Sequence, residues 1–394
     1  MKILTFTSLY PNAVNPQHGI FVENRLRKLV ETGEVDARVI APIQSFPVSF
    51  VPLARYSAFA AAPRVETRHG IEIHHPRFLS VPKVGMRLTR SSMAIAARKL
   101  FRDIVEKESI DLIDAHYFYP DGVAAATLAA ETGVPCVITG RGTDLNLFPE
   151  FPAARREILK AVEKAVACVT VSDALRNRLI EIGAPAEKVT TLRNGVDTEL
   201  FAPVSAADRD AIRRRHNLTG RTIIAVGNLA PEKGQMLIAE ALRAQPELAD
   251  VSLLLVGDGP DGDRLDRFIE DNNLAGRVRR LGRVPQSDLP GLYSVADVSV
   301  LASMREGWPN VLLESMACGT PVVAADVGGV REMVTAPEAG VVVGDRTAGA
   351  FAAAIAGLLE ALPDRASTRR HAEGFSWEET TRGQIDLFRR ILDR

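Results

Sequence analysis

Residues 301–329 read LASMREGWPNVLLESMACGTPVVAADVGG. An apolar strand ends at the start of this stretch, and Glu306 then leads through a Gly-Trp-Pro turn into an amphipathic helix that begins at about Asn310. The Gly-Thr-Pro triplet at 319–321 stops the helix before a second apolar strand. This order of strand, helix and strand predicts a parallel sheet covered by helices. The amides that open the helix lack intrahelical partners, so the turn is predicted to bind an anionic ligand.

The same alternation of strand and helix extends over most of the chain. It opens with an apolar strand at 2–8 and becomes regular from Ile110, after a segment at 42–84 that we predict to be irregular. A charged, polar segment at 200–220 then separates two regular runs. The pattern predicts an α/β protein of two Rossmann-like domains and a terminal helix. The predicted boundaries are 1–200 for the first domain, 201–375 for the second domain and 376–394 for the helix.

Composition and charge exclude several classes of function. The chain has 394 residues and a formal net charge of -1, which gives no general case for binding nucleic acid. Its three cysteines show no metal-ligand spacing, and no Asp-x-Asp pair is placed like a divalent-metal site, so we expect neither a metal nor another cofactor. No apolar run reaches the roughly 18 residues of a spanning helix, and Met1-Lys2 leads directly into a strand. We therefore expect a cytoplasmic protein.

Several motifs together resemble one enzyme family. Glu306, Glu314 and the CGTPVVAADVGG sequence that follows them resemble the donor-site signature of retaining glycosyltransferases of family 4. The NGVD turn at 194–197 and the GDGP turn at 257–260 are similar to further parts of that family. The resemblance implies the GT-B architecture, in which two Rossmann-like domains face a central cleft and the last helix crosses back to the first domain. It also implies transfer of a hexosyl group from a UDP- or GDP-linked sugar to a glycan or lipid-linked acceptor in the synthesis of cell-surface polysaccharide or glycoconjugates.

The resemblance assigns roles to residues of the second domain. Glu314 would hold the ribose hydroxyls, while Glu306 and the amides after it would hold hydroxyls of the sugar. Lys233 in the PEKG turn would neutralise the departing diphosphate, because it places a point positive charge after a strand. The backbone at Arg283 and Val284 would border the base. The predicted donor-binding residues are Gly19, Arg141, Asn228, Lys233, Arg283, Val284, Glu306, Gly307, Trp308, Pro309, Asn310, Val311 and Glu314.

One position departs from the family pattern. Asn228 stands where the family usually has an arginine, so another arginine is expected to supply that positive charge. The candidates are Arg141, Arg283 and Arg305. In the first domain, Gly19 opens a helix and is expected to present its amide to a phosphate.

Two further residues of the first domain are candidates for the chemistry. His116 follows a strand and matches the active-site histidine of the family, so it is expected beside the sugar on the acceptor side; packing in the core is the alternative. A covalent retaining mechanism needs a carboxylate, and Asp144 is the first-domain residue we nominate for it. Reaction on one face of the sugar, with the leaving phosphate taking the acceptor proton, remains the other route. The predicted catalytic residues are His116, Glu306, Lys233 and Asp144.

A second motif favours a different class of protein. Residues 257–262 fit the G-x-G-x-x-G pattern directly after a strand, which is typical of dinucleotide-binding dehydrogenases. However, Asp258, Asp261 and Asp263 would surround a pyrophosphate with like charges, so the dehydrogenase is the less favoured alternative. A GT-B nucleotide-sugar epimerase and a binding protein without catalytic activity also remain open.

Basic residues are concentrated between residues 45 and 102. Ten arginines and lysines stand there against Glu66 and Glu72, a local charge of ten minus two, or +8, and aromatic and aliphatic residues lie among them. Such a mixture binds anionic bilayers, and the resemblance implies such a patch on the acceptor domain. We expect peripheral binding to the inner face of the plasma membrane, with a solvated basic face over an apolar core as the alternative. The basic residues are Arg55, Arg64, Arg68, Arg77, Lys83, Arg87, Arg90, Arg98, Lys99 and Arg102.

Overall fold

The computed structural model describes residues 1–45, 61–79 and 86–393. The chain divides into two compact units, the first formed by residues 1–193 and 378–394 and the second by residues 194–377. Among the described residues, no helix is both long enough and apolar enough to cross a membrane.

The first unit is built on a sheet whose described strands run in the order β10-β9-β8-β7-β1-β2-β5-β4. All neighbours pair in parallel except β4 and β5, and β3 pairs with β6 apart from this sheet. The strands of this unit are β1 Lys2–Phe6, β2 Asp36–Ile40, β3 Ile43–Ser45, β4 Val65–Arg68, β5 Ile71–His74, β6 Arg77–Leu79, β7 Leu112–His116, β8 Cys136–Gly140, β9 Ala167–Thr170 and β10 Val189–Thr191. Its helices before the second unit are α1 Ile20–Glu31, α2 Met86–Glu108, α3 Val123–Thr132, α4 Thr143–Asn146, α5 Pro152–Lys164 and α6 Asp173–Glu181.

The second unit contains a parallel sheet in the order β13-β12-β11-β14-β15-β16. Its strands are β11 Thr222–Val226, β12 Ser252–Val256, β13 Val278–Gly282, β14 Val298–Leu301, β15 Val322–Ala325 and β16 Gly340–Val343. Its helices are α7 Ala206–Arg215, α8 Gln235–Ala244, α9 Gly262–Asp271, α10 Leu289–Val295, α11 Asn310–Ala317, α12 Val330–Met333, α13 Ala348–Glu360 and α14 Arg365–Glu373. The chain then forms α15, Trp377–Leu392.

Apolar strand residues form the core of each unit. In the second unit, residues such as Ile223, Leu253 and Val323 are fully buried with the inner faces of the helices. In the first unit, Ile385, Leu387 and Phe388 of α15 pack in the same apolar cluster as the sheet. The last helix therefore supplies part of the core of the first unit.

The boundary between the units differs from the predicted one. The division falls between Arg193 and Asn194, whereas the sequence predicted it at 200 and 201. The reason is that the chain from Asn194 onwards already pairs within the second unit: Val196 forms a β-bridge with Ser376, and the carbonyl of Asn194 accepts a hydrogen bond from the Trp308 indole at 2.9 Å. The terminal helix begins one residue later than predicted, at Trp377, and the first unit takes over at Glu378.

The prediction of an irregular segment at 42–84 was wrong for its described part. That part contains β3, β4, β5 and β6. In β5 the side chains alternate, because Ile71 and Ile73 are buried while Glu72 is exposed and His74 is half-buried. The alternation is short and is interrupted by charged residues, which hid it in the sequence.

Each sheet reverses its strand order at one place. In the first unit this place lies between β7 and β1, and in the second it lies between β11 and β14. Ligands of open parallel sheets bind beyond the carboxyl ends of the strands at such switch points. The residues that follow β7, β11 and β14 are therefore the ones to inspect for function.

Candidate active site

The two loops that leave the switch point of the second unit lie against each other. The amide of Met304, after β14, donates to the carbonyl of Glu232, after β11, at 2.7 Å. Gly234 has a φ of +75°, and a Cβ there would stand 2.2 Å from the carbonyl oxygen of Ala302. A side chain at position 234 would push the loops apart, so glycine is required at this position.

Lys233 and Glu306 bond each other across these loops. The Lys233 Nζ lies 2.7 Å from Glu306 Oε1, and the two side chains are 31 % and 12 % exposed. The residue predicted to bind the diphosphate and the residue predicted to bind the sugar therefore lie together within one unit.

The turn after Glu306 is fixed on both sides. Gly328 has a φ of +52°, and a Cβ there would lie 2.1 Å from the carbonyl oxygen of Glu306. The amide of Gly329 donates to the carbonyl of Gly307 at 3.1 Å. On the other side, Trp308 is buried and its indole N–H donates to the carbonyl of Asn194. The turn is thus held by backbone contacts and by one anchored indole.

This turn leads directly into the N-terminus of α11. Pro309 precedes the helix, and no side chain caps its first amides. The side-chain oxygen of Asn310 accepts a hydrogen bond from the Asn194 amide group at 3.3 Å, which orients the first residue of the helix. Val311 follows and is half-buried. The first amides of the helix therefore lack a side-chain cap, and their binding of an anionic group stays a prediction.

Glu314 lies one turn along the same helix. It is half-buried, and Tyr293 Oη donates to Glu314 Oε2 at 3.2 Å. Burial raises the pKa of Glu314 to about 7, while the hydrogen bond from Tyr293 acts in the opposite direction. The side chain of Tyr293 is fully buried, so it holds one carboxylate oxygen in a fixed place. Tyr293 was missed in the sequence, because a tyrosine in a short apolar helix is usually a core residue.

The remaining predicted donor residues of this unit lie in loops and are exposed or half-buried. Arg283 directly follows the end of β13, and Val284 after it is half-buried. Asn228 is exposed in the loop after β11, and its carbonyl accepts from Gln235 Nε2 at 3.1 Å. Arg305 is also exposed, beside Glu306. Within this unit, Arg283 and Arg305 are the candidates for the positive charge that Asn228 does not supply.

The G-x-G-x-x-G pattern has a structural explanation. A Cβ at Gly257 would lie 1.9 Å from the carbonyl oxygen of Gly227, and one at Gly259 would lie 2.3 Å from that of Leu229. The amide of Leu229 donates to the carbonyl of Asp258 at 3.0 Å. These glycines allow the loop after β12 to lie directly against the backbone of the loop after β11, which accounts for the motif without a dinucleotide.

His116 of the first unit is at the end of β7, and it is buried. Its Nδ1 lies 2.7 Å from Nη2 of Arg141, and its Nε2 lies 3.2 Å from Oδ2 of Asp114. A guanidinium only donates, so Nδ1 accepts and the ring proton is on Nε2, facing the carboxylate. Burial lowers the pKa of His116 to about 4, with Asp114 acting in the opposite direction. The imidazole is therefore neutral at physiological pH, and both of its nitrogens are engaged inside the protein.

Asp144 accepts hydrogen bonds from the backbone around it. Its Oδ1 accepts from the amides of Arg141 at 3.0 Å and Gly142 at 2.7 Å, and its Oδ2 accepts from the amide of Phe118 at 2.8 Å and again from Arg141 at 3.2 Å. Three backbone amides thus hold the carboxylate through four contacts, because the amide of Arg141 is shared between the two oxygens. This occupancy opposes the nucleophilic role that we nominated and makes Asp144 the residue that shapes the loop after β8.

Gly19 lies immediately before α1 with a φ of +69°. A Cβ there would lie 2.2 Å from the backbone carbon of Leu9, so the loop before the helix requires glycine at this position. Arg141 is the other predicted donor residue of this unit. Its side chain is buried and donates to His116, and its Cζ lies 5.5 Å from the centroid of the Phe21 ring.

The structure also shows contacts to His116 that the sequence did not predict. Asp114 stands two residues before His116 on the same face of β7. The alternation of side chains along a strand could therefore have predicted this contact. The side chains of Arg25 and Gln384 complete the same buried group, and no local sequence signal links them to β7. Among the described residues, no group of three or more His, Cys, Asp or Glu side chains is arranged to hold a metal ion.

Comparison with known families agrees with these motifs. The model described as "Glycosyl transferases group 1" matches residues 208–374, and the model described as "Glycosyltransferase Family 4" matches residues 53–200. A D-inositol 3-phosphate glycosyltransferase of Thermobispora bispora is 35% identical over 315 residues, which cover 72% of this chain and 71% of the relative. The chain belongs to the family 4, or group 1, glycosyltransferases.

A second relative supports the same assignment. A Bacillus subtilis protein named as a candidate glycosyltransferase of teichuronic acid biosynthesis is 31% identical over 345 residues, covering 84% of this chain and 83% of the relative. The predicted family and the predicted transferase activity are thereby confirmed.

Solved structures share the fold of this glycosyltransferase. The Anabaena protein HepE in complex with UDP-glucose has a TM-score of 0.73 at 22% identity, covering 98% of this chain and 99% of that one. Sucrose-phosphate synthase of Thermosynechococcus elongatus has a TM-score of 0.79 at 20% identity, covering 100% of this chain and 99% of that one. The predicted GT-B class, with two Rossmann-like units, is confirmed.

Proposed function

We propose that this glycosyltransferase moves a hexosyl group from a UDP- or GDP-linked sugar to a glycan or lipid-linked acceptor, with retention of the anomeric configuration. The observation that carries the proposal is the grouping of Lys233, Glu306, the uncapped start of α11 and Glu314 in one unit. These groups match the parts of a nucleotide-diphosphate sugar, which are a diphosphate, sugar hydroxyls and a ribose. The complex of HepE with UDP-glucose supports uridine as the first base to test.

The chemical task of this site is to stabilise a leaving diphosphate. Lys233 would donate a charge-assisted hydrogen bond to it, and the amides at the start of α11 would add fixed dipoles. Glu306 would orient the sugar and Glu314 the ribose. We propose that these groups meet the charge of the diphosphate without a metal ion or other cofactor.

The occupancy of Asp144 supports one route for retention over the other. A covalent route requires a carboxylate that is free to attack the anomeric carbon. Because three backbone amides hold the Asp144 carboxylate in the loop after β8, we propose reaction on one face of the sugar, with the leaving phosphate accepting the proton of the acceptor hydroxyl.

The experiment that tests this function uses the purified protein with UDP-glucose and, separately, GDP-mannose. Release of the nucleoside diphosphate that depends on an added glycan acceptor, with proton NMR showing retention in the product, is the expected result. Conversion of the donor alone into an epimer would assign an epimerase instead. Donor binding without transfer or hydrolysis would assign a binding protein.

We also propose that the protein works at the inner face of the plasma membrane. Leu79 and Ile95 are 53 % and 64 % exposed, and the amide of Leu79 donates to Ser92 Oγ, one helical turn before Ile95, at 2.8 Å. Exposed apolar side chains on one surface are a feature of peripheral membrane proteins.

The described arginines of the basic segment contribute less charge than the sequence predicted. Arg68 pairs with Glu23, and Arg90 pairs with Glu157 at 2.7 Å. Arg98 and Arg102 both bond Glu131. The proposed membrane contact therefore relies more on Leu79 and Ile95 than on paired arginines. Several residues of the predicted patch have side chains outside the described residues: Phe46, Phe50, Arg55, Tyr56, Phe59, Lys83, Met86 and Arg87.

A further inference from the structure

A continuous chain of buried hydrogen bonds joins α15 to the imidazole of His116. Arg25 Nε donates to Gln384 Oε1 at 2.6 Å, and Gln384 Nε2 donates to Asp114 Oδ2 at 3.1 Å. The same carboxylate oxygen lies 3.2 Å from Nε2 of His116. Arg25, Gln384, Asp114 and His116 are each at most 2 % exposed, so water does not compete for these bonds.

The donors and acceptors fix the orientation of every group. Arg25 can only donate, so the oxygen of the Gln384 amide faces it and the NH₂ group faces Asp114. Asp114 then receives hydrogen bonds from Gln384 and from the Nε2–H of His116. That leaves Nδ1 of His116 to accept from Arg141. The carboxylate that accepts from the Nε2–H of the imidazole is therefore itself held in place by the amide of Gln384.

We propose that Gln384 is a positioning residue for the transfer reaction, acting through Asp114 on His116 and Arg141. It keeps the Asp114 carboxylate turned towards Nε2, so the ring proton stays on Nε2 and Nδ1 stays aimed at the guanidinium. This inference rests on the proposed role of the His116 end of β7 in the reaction. The proposal assigns Gln384 no contact with the sugar or with the reacting atoms.

Buried charges around Gln384 make an isosteric substitution informative. Arg25 faces the amide oxygen, Asp114 faces the amide nitrogen, and His116 and Arg141 lie beyond Asp114. Further titratable groups near this chain of bonds are Asp144, which acts on Arg141, and Cys136, on which Asp114 acts. Burial opposes the charge of Asp114, but His116, Arg25 and Arg141 hold its pKa below the ordinary value, so Asp114 is a carboxylate.

Gln384→Glu keeps the shape of the side chain and changes its ability to donate. When the introduced carboxyl is protonated it can still accept from Arg25 and donate to Asp114. When it ionises it has no proton to donate and repels Asp114. We expect kcat to fall at least about fivefold near pH 8 and to recover towards wild type near pH 6, with the donor KM equal to that of wild type at each pH. Asp386→Asn, an exposed change on the same helix, is the matched control and should leave kcat and KM unchanged.

A spectroscopic measurement separates positioning from general stability. The ¹⁵N NMR signals of the His116 ring, assigned with His116→Asn, should show the Nε2–H form in wild type and a pH-dependent change in Gln384→Glu. Loss of kcat with wild-type His116 signals would assign Gln384 a structural role and overturn the proposal. Wild-type kcat at pH 8 would overturn it as well.

A double variant keeps the test valid if the single variant folds poorly. Gln384→Glu combined with Asp114→Asn exchanges the amide and the carboxylate, so Arg25 keeps an acceptor and His116 keeps an oxygen that can accept from Nε2–H. We expect a higher kcat than in the single variant and no recovery on lowering the pH; a kcat no better than that of Gln384→Glu would contradict the proposal. If wild type transfers no sugar, the proposed function fails, and the NMR signals still test the link between Gln384 and His116.

Discussion

The ammonium nitrogen of Lys233 lies 2.7 Å from Oε1 of Glu306, so two residues of the proposed donor site bond each other directly. A bound donor must share or replace this contact, because a diphosphate competes for the ammonium and sugar hydroxyls compete for the carboxylate. Lys233→Ala removes a charge-assisted hydrogen bond worth about 1.5 to 3 kcal/mol, so kcat/KM should fall about 10- to 100-fold. Steady-state kinetics with UDP-glucose measure this fall.

Glu232 supplies the control for that prediction. It is an exposed carboxylate in the same turn, and only its backbone carbonyl is used in packing. Glu232→Ala should leave kcat/KM within about twofold of wild type. Near-normal transfer by Lys233→Ala, or transfer abolished by a metal chelator, would contradict the proposed stabilisation of the diphosphate by Lys233 and the helix amides.

Donor binding should become tighter as the pH rises through about 7. The pKa of Glu314 is raised from 4.5 to about 7 by burial, so below this pH the carboxyl is neutral and accepts ribose hydroxyls poorly. Above it, the carboxylate accepts two hydroxyls. Isothermal titration calorimetry with UDP between about pH 6 and pH 8 should show a falling Kd. In Glu314→Gln the affinity should be weaker and indifferent to pH.

The same pKa shift predicts how the stability of the fold depends on pH. A carboxyl with a raised folded pKa contributes its full stability below the unfolded value of 4.5 and loses it as the pH rises through about 7. Glu314→Gln should therefore melt at a higher temperature than wild type near pH 8. Tyr293→Phe is the second check: it removes the hydrogen bond that lowers the Glu314 pKa, so the change in Kd should move to higher pH. A Kd of the wild type that does not depend on pH would contradict the assignment of Glu314 to the ribose.

Removing the imidazole of His116 should affect both stability and transfer. In His116→Ala, Asp114 and Arg141 each lose a partner inside the protein, and such losses cost about 1 to 3 kcal/mol. For a unit of this size the melting temperature should fall by roughly 3 to 10 °C. We expect kcat, measured well below melting, to fall about tenfold or more. Unchanged melting would contradict the buried hydrogen bonds, and unchanged kcat would leave His116 a packing residue.

Apolar contacts should dominate binding to membranes. In flotation with vesicles that contain phosphatidylglycerol, Ile95→Asp should weaken binding, because it puts a charge on the exposed apolar surface beside Leu79. Val166→Asp changes another exposed apolar residue of the first unit, 43 % exposed, and serves as the control. If the wild type does not float with the vesicles at low salt, the membrane proposal is contradicted and a soluble glycan is the expected acceptor.

The grouping of the candidate donor-site residues was largely predictable because its signals are local; that they bind the donor stays a prediction. Glu306, the Gly-Trp-Pro turn and the start of α11 stand within ten residues of one another, and a strand-to-helix turn brings adjacent residues to one place. The Gly-Thr-Pro stop and the two flanking strands were read from the same stretch. Lys233 was predicted from its turn, although its partner Glu306 is 73 residues away.

The surroundings of His116 could not be predicted in the same way. The side chains that fix its ring come from α1, β7, the loop after β8 and α15, and Gln384 is separated from Asp114 by 270 positions. A buried glutamine has no pattern in a single sequence that names its partner. Asp144 shows the opposite error: a carboxylate after a strand suggested chemistry, whereas its bonds are to the backbone two or three residues before it and to Phe118.

The discontinuity of the first unit has a consequence for synthesis on the ribosome. Residues 194–377 are contiguous, whereas residues 1–193 complete their core only with Ile385, Leu387 and Phe388, which are translated after the whole second unit. Until residue 384 has left the exit tunnel, Arg25 and Asp114 lack the amide that joins them. Domains usually mature in the order in which they are translated. Here the first unit cannot finish before the second unit has been translated. In nascent chains arrested with an added C-terminal linker, full protease protection of residues 1–193 should appear only when Phe388 has left the exit tunnel.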